Sequence, residues 1–383
     1  MTATFTLRQN LDCTPEAAWH LLTDPDQMCR WSTAPITPIS LGPQDRPDTA
    51  GALRMVTLPG GRIRLREVVE YAEFPRTFRY RVYDGGPLLV EHRGEQRVVE
   101  TSEGVEVQWT VDMTLFPRPL SHLMAWQIRR EVQRSLTEME SLARDLDTAT
   151  LTTPDELPRS AAHNLDDLVS SALEIRALQQ EIADELAGAD DPKQWFARVY
   201  QYVTETMIEA ATGRLELGLT HPDWVLALIP VFHRYYAGNL DAYRNGGVVE
   251  DAWQVAWSTC EIVDPDRPHE PVVKGLLAGV AAHIDADLPR ALAALHLARY
   301  PDRDLREFRP DYLRLAPVFT VASDRLLADL PRSHKPWWTS IAGRVNTQMR
   351  DSLLARTGYD VSRHRVQAFE AAVQRASSQT GPA

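Results

Sequence analysis

The stretch Thr14–Trp31, TPEAAWHLLTDPDQMCRW, decides how the amino-terminal half is read. Thr14 offers a hydroxyl to cap a helix, and Pro15 suits its first position, where no backbone donor is needed. The helix runs through Trp19 and Leu22, and a second short turn covers Asp24 to Arg30. Around this pair the apolar residues alternate with period two from Thr4 to Leu115, as they do in half-buried strands. One strand is expected before the helices, at 4–11. After them come 51–58, 63–72, 76–84, 89–101 and 104–115, with a short one near 35–41. Asp84-Gly85-Gly86 and Glu103-Gly104 supply the positive φ that tight hairpins need, so the order is antiparallel. An amphipathic helix closes the half, from about Leu120 to Leu146, with an apolar stripe at 120, 124, 128, 132, 136, 139 and 142.

The linker follows. DTATLTTPDELPRS (147–160) carries two prolines among small polar residues, which divides the chain into domains at 1–148 and 161–378 with a linker at 149–160. Beyond it the pattern is helical, with helices expected at 161–187, 192–217, 223–241, 248–260, 271–287, 289–299, 309–330, 335–357 and 361–377. The last residues, SSQTGPA, are expected to be disordered.

A chain of 383 residues with 44% hydrophobic and 25% charged residues folds without metal or disulfide staples. Its net charge of −12, with no basic stripe, withholds the phosphate contacts that nucleic-acid binding rests on. The longest apolar run, Gly275 to Ala282, is far short of the ~20 residues that span a bilayer, so no membrane insertion is expected. The amino terminus lacks the basic and apolar regions of a signal peptide, which points to a cytoplasmic location. Cys13, Cys29 and Cys260 have neither zinc nor redox spacing and read as reduced, buried thiols. Lysine occurs only at 193, 274 and 335, an arginine bias associated with GC-rich bacterial genomes. No Walker loop, dinucleotide fingerprint or Gly-x-Ser-x-Gly elbow is present.

The element order, the Thr14–Trp31 stretch and the closing helix together resemble the polyketide cyclase/dehydrase and lipid-transfer superfamily over residues 1–148. That resemblance implies an α+β helix-grip (START-like) fold, in which a curved antiparallel sheet wraps the long helix around a cavity for a hydrophobic ligand. Strand alternation shows independently which side chains share a face. Tyr80 falls with Phe78 and Val82, Glu67 with Leu65, Val69 and Tyr71, Trp109 with Val107, Val111 and Met113, and His92 with Val90 and Gln96. Glu67, Tyr80 and His92 are therefore proton-handling groups on apolar faces. Burial moves Glu67 up and His92 down toward neutrality, where acid-base catalysis works best. Trp31, in the loop after the second helix, is expected to cover an aromatic ligand, with Trp109 and Gln96 also binding it. The plainer reading makes the aromatics core and leaves His92 solvated near a hairpin. An arginine of the RIRLRE run (62–67) then neutralises Glu67, while Arg62, Arg64 and Arg66 face the other side.

Residues 160–335 resemble the family of unknown function 5995, an all-α domain. The resemblance rests on WFARVYQYVTE (195–205), HPDWVLALIPVFHRYY (221–236), Trp253 and GVAAHIDADLPRAL (279–292). The family pattern carries Asn where this chain has Asp285, and it brings no activity with it. His283 and Asp287 stand four apart on one helical face, so the carboxylate can orient the imidazole as a base. His233 shares a stripe with Leu226, Ile229 and Tyr236, and His233 and Tyr236 are taken as binding residues. His221, His233 and His283 with Asp285 or Asp287 have the residue types for zinc or iron without a fixed ligand motif. Alternatively Asp287 only caps the helix at Leu288-Pro289, His283 is core, and Gly275 and Gly279 serve close helix packing.

The leading expectation is a cofactor-independent natural-product enzyme that cyclises or dehydrates a hydrophobic polyketide-like molecule. Tyr80, His92, Glu67, His283 and Asp287 are its catalytic candidates, and a small hydrophobic molecule is its partner. A homodimer is compatible with the sequence. The alternatives are a non-catalytic ligand carrier or sensor with a helical partner-binding domain, and a metal-dependent hydrolase in the helical domain.

Overall fold

The structure, a computed structural model, describes residues 2–58, 61, 63–117, 119–144, 146, 164–264, 266–267, 269–335 and 359–379. The chain divides into two compact units, Met1–Pro158 and Arg159–Ala383. The expected linker at 149–160 and helix at 335–357 lie outside the described residues, save Lys335.

In the first unit, β1 (Ala3–Leu11) leads into α1 (Pro15–Thr23) and α2 (Pro25–Trp31). The Thr14 hydroxyl accepts the Ala17 N–H at 3.2 Å, and Asp24 accepts those of Asp26 and Gln27 at 3.0 Å. Each cap satisfies donors that a helix start leaves open. β2 (Ile36–Ser40), β3 (Leu53–Thr57), β4 (Arg64–Glu73), β5 (Thr77–Asp84), β6 (Leu89–Thr101) and β7 (Gly104–Leu115) follow. They form one seven-stranded antiparallel sheet in the order β1-β7-β6-β5-β4-β3-β2.

The closing helix α3 (Pro119–Ala143) lays Val132, Leu136, Met139 and Ala143 into the core against β1 and β7. Further toward its amino end, Leu120, Met124 and Ile128 of the same stripe are only partly buried. This is the START-like arrangement of sheet and long helix, and in the second unit the regular elements among the described residues are all helices.

Of the four register shifts among the described residues of the sheet, two change faces that strict alternation assigns. Register shifts between Val69 and Tyr71 and between Leu89 and Glu91 insert an extra residue, which reverses the face of what lies beyond. Tyr71 and Val90, expected on the inner face, are therefore exposed, whereas Val68 and Val69 are both fully buried.

The second unit contains α4 (Leu165–Gly188), α5 (Gln194–Ala211), α6 (Pro222–Arg244), α7 (Asp251–Cys260), α8 (His269–Ala281), α9 (Leu288–Arg299), α10 (Arg309–Arg314), α11 (Ala316–Asp329) and α12 (Val361–Gln379). A π-helix, Ala282–Asp287, joins α8 to α9 without a break. Because Asp287 has helical φ and ψ and makes no side-chain cap, its reading as an N-cap is overturned. The packing role of the glycines holds: a Cβ on Gly275 would stand 2.7 Å from the Cys260 sulfur, and one on Gly279 would enter the Phe196 ring. The tail prediction is corrected in part, since α12 continues through Gln379. So is the cysteine reading: Cys260 is buried, Cys13 half-buried and Cys29 exposed.

Candidate functional site

Inside the first unit, side chains from β3 to β7 meet α2 and α3 around a cavity of about 100 Å³. Tyr80 on β5, His92 and Gln96 on β6, Trp109 on β7, Glu67 on β4 and Trp31 on α2 all line it. Each of the six is at least nine-tenths buried. Met124, Ile128 and Val132 of α3 face them, so the partly buried end of the α3 stripe borders the hollow.

Tyr80 reaches its place because Gly94 lies opposite it on β6. A Cβ at Gly94 would fall well inside 3.0 Å of the phenol ring, so the missing side chain is what lets the ring lie across the strand. The Trp109 indole N–H donates to the Tyr80 oxygen at 3.1 Å. That fills one acceptor site of the hydroxyl and leaves its own proton free to be donated. Burial, reinforced by the Glu67 charge, holds the phenol well above its ordinary pKa, so it stays protonated.

His92 lies 6.2 Å from Tyr80, ring centre to ring centre. Burial lowers its pKa from the usual histidine value, more than Glu67 and Asp112 raise it, so the imidazole is neutral at neutral pH. Its Nδ1 is buried without a hydrogen-bond partner, and so is the Gln96 Oε1. Unsatisfied buried polar atoms cost about 1–3 kcal/mol each, so these two, on residues that line the cavity, call for an explanation. The expectation that His92 is solvated beside a hairpin is thus overturned.

Glu67 is neutralised, but not by its own RIRLRE run. Arg54, its cross-strand neighbour on β3, donates from Nε to the Glu67 carboxylate at 2.8 Å, with both side chains almost buried. The Arg54 guanidinium also lies over the Tyr80 ring, 4.6 Å from its centre. Arg54 escaped the sequence reading, although it shares strand parity with Ala52, Val56 and Leu58 and so belongs on the apolar face. Arg64 and Arg66 are exposed as expected, while Arg62 lies outside the described residues.

The placement of Trp31 is corrected: it ends α2 rather than sitting in a loop, and its N–H is bound to the Leu21 carbonyl at 2.7 Å. Pinned there, it packs edge-on against Trp109 with ring centres 5.9 Å apart. It forms a fixed wall of the cavity and not a movable cover.

The remaining candidates belong to the second unit. His283 Nδ1 lies 3.0 Å from Asp287 Oδ2. Asp287, fully buried, also accepts from the Trp253 indole at 3.0 Å and from Arg290 at 2.8 Å. His233 and Tyr236 on α6 are buried nearby, both within ring contact of Tyr200 on α5, which also touches His283. Tyr200, Arg290 and the ring of Phe232 against His283 were not singled out from the sequence, since nothing in their spacing distinguishes them from core or surface.

The metal-ligand grouping is not assembled. His221 sits beside Asp311, with Arg303 at its Nε2, and Asp285 is exposed and paired with His364. Among the described residues, no three His, Cys, Asp or Glu side chains are grouped to hold a metal ion. Nor is any helix among them long and apolar enough to cross a membrane.

Comparison with known proteins agrees with the two-part architecture. Residues 2–144 match the family model described as polyketide cyclase / dehydrase and lipid transport. Residues 174–382 match that of a family of unknown function (DUF5995), reaching beyond the quoted motifs. No curated protein matches the chain. Among solved structures, the di-domain ARO/CYC StfQ from the steffimycin biosynthetic pathway is 15% identical, with 38% of this chain and 52% of that one covered at a TM-score of 0.33. A START superfamily protein from Mycobacterium smegmatis is 13% identical over 38% of this chain and 99% of its own, TM-score 0.31. Norcoclaurine synthase from Thalictrum flavum is 9% identical over 39% and 90%, TM-score 0.31.

Proposed function

The chain belongs to the DUF5995 family, whose model covers residues 174–382 and carries no activity; for the amino-terminal unit we propose that its cavity binds a compact hydrophobic carbonyl compound and moves protons on it, as in a cyclisation or dehydration. One observation carries the reading: a neutral imidazole with an unpartnered nitrogen and a phenol with a free proton face one apolar cavity.

The chemistry needs no more than these groups. A ligand carbonyl oxygen accepts the Tyr80 O–H, and His92 removes a proton from the adjacent carbon, whose C–H electrons move to that oxygen as an enolate. The enolate carbon then bonds to a second carbonyl of the same molecule, and the proton held by His92 passes to the new alkoxide. In the dehydrating variant, the same proton leaves with a β-hydroxyl as water. Positioned acid-base groups of this kind contribute about 10²–10⁴-fold. The Arg54–Glu67 pair holds the Tyr80 ring from beneath.

Cavity size restricts the substrate. Pockets for drug-sized ligands measure about 300–1,000 Å³, so a space of about 100 Å³ suits a single ring, which narrows the hydrophobic polyketide-like molecule expected to a compact one. The same tightness favours a second reading, a carrier or sensor that holds such a ligand unchanged.

An aryl methyl ketone in D₂O separates them. Exchange of its methyl protons, followed by NMR, is expected to be accelerated by the protein and to fall about 10²-fold in both Tyr80→Phe and His92→Ala. Binding without accelerated exchange establishes the carrier reading, and exchange undiminished in both variants removes the assignment.

A further inference from the structure

The cavity of the amino-terminal unit has a small neighbour. A second hollow of about 20 Å³ lies between α2 and the strands β2 and β3, and the two spaces have three lining residues in common, Met28, Ile36 and Arg54. Those three form the partition. A water needs at least about 10–15 Å³ of such space, so the smaller hollow has room for about one.

Two members of the partition are fixed. Arg54 is tied to the Glu67 carboxylate at 2.8 Å, and Ile36 stands in β2 opposite Val56 with a stiff, β-branched side chain. Met28 is the third. Its position on α2 is set by the Asp24 cap at one end of that helix and by the Trp31 N–H on the Leu21 carbonyl at the other. A methionine side chain bends easily, but this one is 3% exposed, and a hollow the size of one water cannot take in its thioether end. The side chain therefore has no space into which it can withdraw.

We propose, on the reading of this cavity as a ketone site, that Met28 sets the size limit of the ligand: with methionine there, the cavity takes one ring and rejects a second. Atom counts agree. Truncation of Met28 at Cβ removes three heavy atoms, and the hollow behind it adds room for one more. Together these match the four carbons that extend a benzene ring to naphthalene. In an apolar pocket a misfit of one methylene already discriminates about 10- to 200-fold, so a whole additional ring is well within the reach of this one side chain.

The test measures binding of methyl phenyl ketone and methyl naphthyl ketone to the full chain by equilibrium dialysis, with NMR of ¹³C-methyl-methionine labels alongside. The wild-type chain is expected to bind the phenyl ketone at least about tenfold more tightly, and Met28→Ala to reverse that order. Met28→Leu, with the same number of side-chain heavy atoms, keeps the wild-type order. In the wild-type chain the phenyl ketone shifts the methyl signals of both Met28 and Met124, assigned by their loss in Met28→Leu and Met124→Leu. Met124 lines the larger space and not the smaller, so its signal reports entry of the ligand by itself. If neither signal moves, the reading of the cavity as a ketone site falls and the role of Met28 falls with it. A shift at Met124 without one at Met28, a wild-type chain that binds both ketones equally, or a folded Met28→Ala chain that still prefers the phenyl ketone overturns the role of Met28 alone. The first two outcomes are read on the unaltered chain, so they decide the matter even where Met28→Ala fails to fold.

Discussion

Gly94→Ala tests whether the Tyr80 phenol is placed by a missing side chain. The backbone at Gly94 lies outside the left-handed region, so alanine adds no conformational strain, and the whole cost falls on the contact with the ring. To admit the methyl group, Tyr80 must leave its seat, which parts it from the Trp109 N–H and from the Arg54 guanidinium. Overpacking a core costs about 1–3 kcal/mol, and a lost hydrogen bond adds about 1 kcal/mol, so the sum is about 2–4 kcal/mol. At about 1.4 kcal/mol per tenfold, amides of β5 and β6 that exchange through opening of this unit should exchange roughly 30- to 700-fold faster. Hydrogen-exchange mass spectrometry reads this peptide by peptide, so the second unit does not contaminate the value. The decisive comparison is the same substitution in a Tyr80→Ala background, where the clash is already gone and the added cost should fall below about 0.5 kcal/mol. An equal penalty in both backgrounds would refute the reasoning.

Two further outcomes follow from the buried charges. Arg54→Gln strands the Glu67 carboxylate inside the cup and should cost about 3–5 kcal/mol in urea unfolding, with most of it recovered on adding Glu67→Gln; a loss below about 1 kcal/mol would mean that water reaches the pair. Four histidines, His92, His233, His283 and His296, have pKa values lowered by burial, His233 to about 4. Because the unfolded chain takes up protons near pH ~6.5 before the folded one does, stability is full above that value and declines as the pH falls toward about 4. Urea midpoints that match at pH 7.5 and pH 5 would contradict this.

Much of the cup was legible because a two-residue period and a handful of glycine turns constrain strands strongly. β6 and β7 stand at the residues expected, and Tyr80, Trp109, His92, Gln96 and Glu67 all point inward by parity. Parity failed at Tyr71 and Val90, because a bulge is a property of two paired strands and neither strand alone records it. The same limit hid Arg54: only the register of β3 on β4 sets it beside Glu67.

In the second unit, the four-residue spacing of His283 and Asp287 was enough to pair them. The sequence by itself determined which residues share a face or a turn, since those relations depend on local geometry. Which faces meet was decided only by the tertiary structure: that Trp253 and Arg290 fasten Asp287, that Tyr80 lies over Gly94, and that the hollow beside α3 is small. Such contacts join residues far apart in the chain, and they depend on how whole elements pack, which no local period encodes.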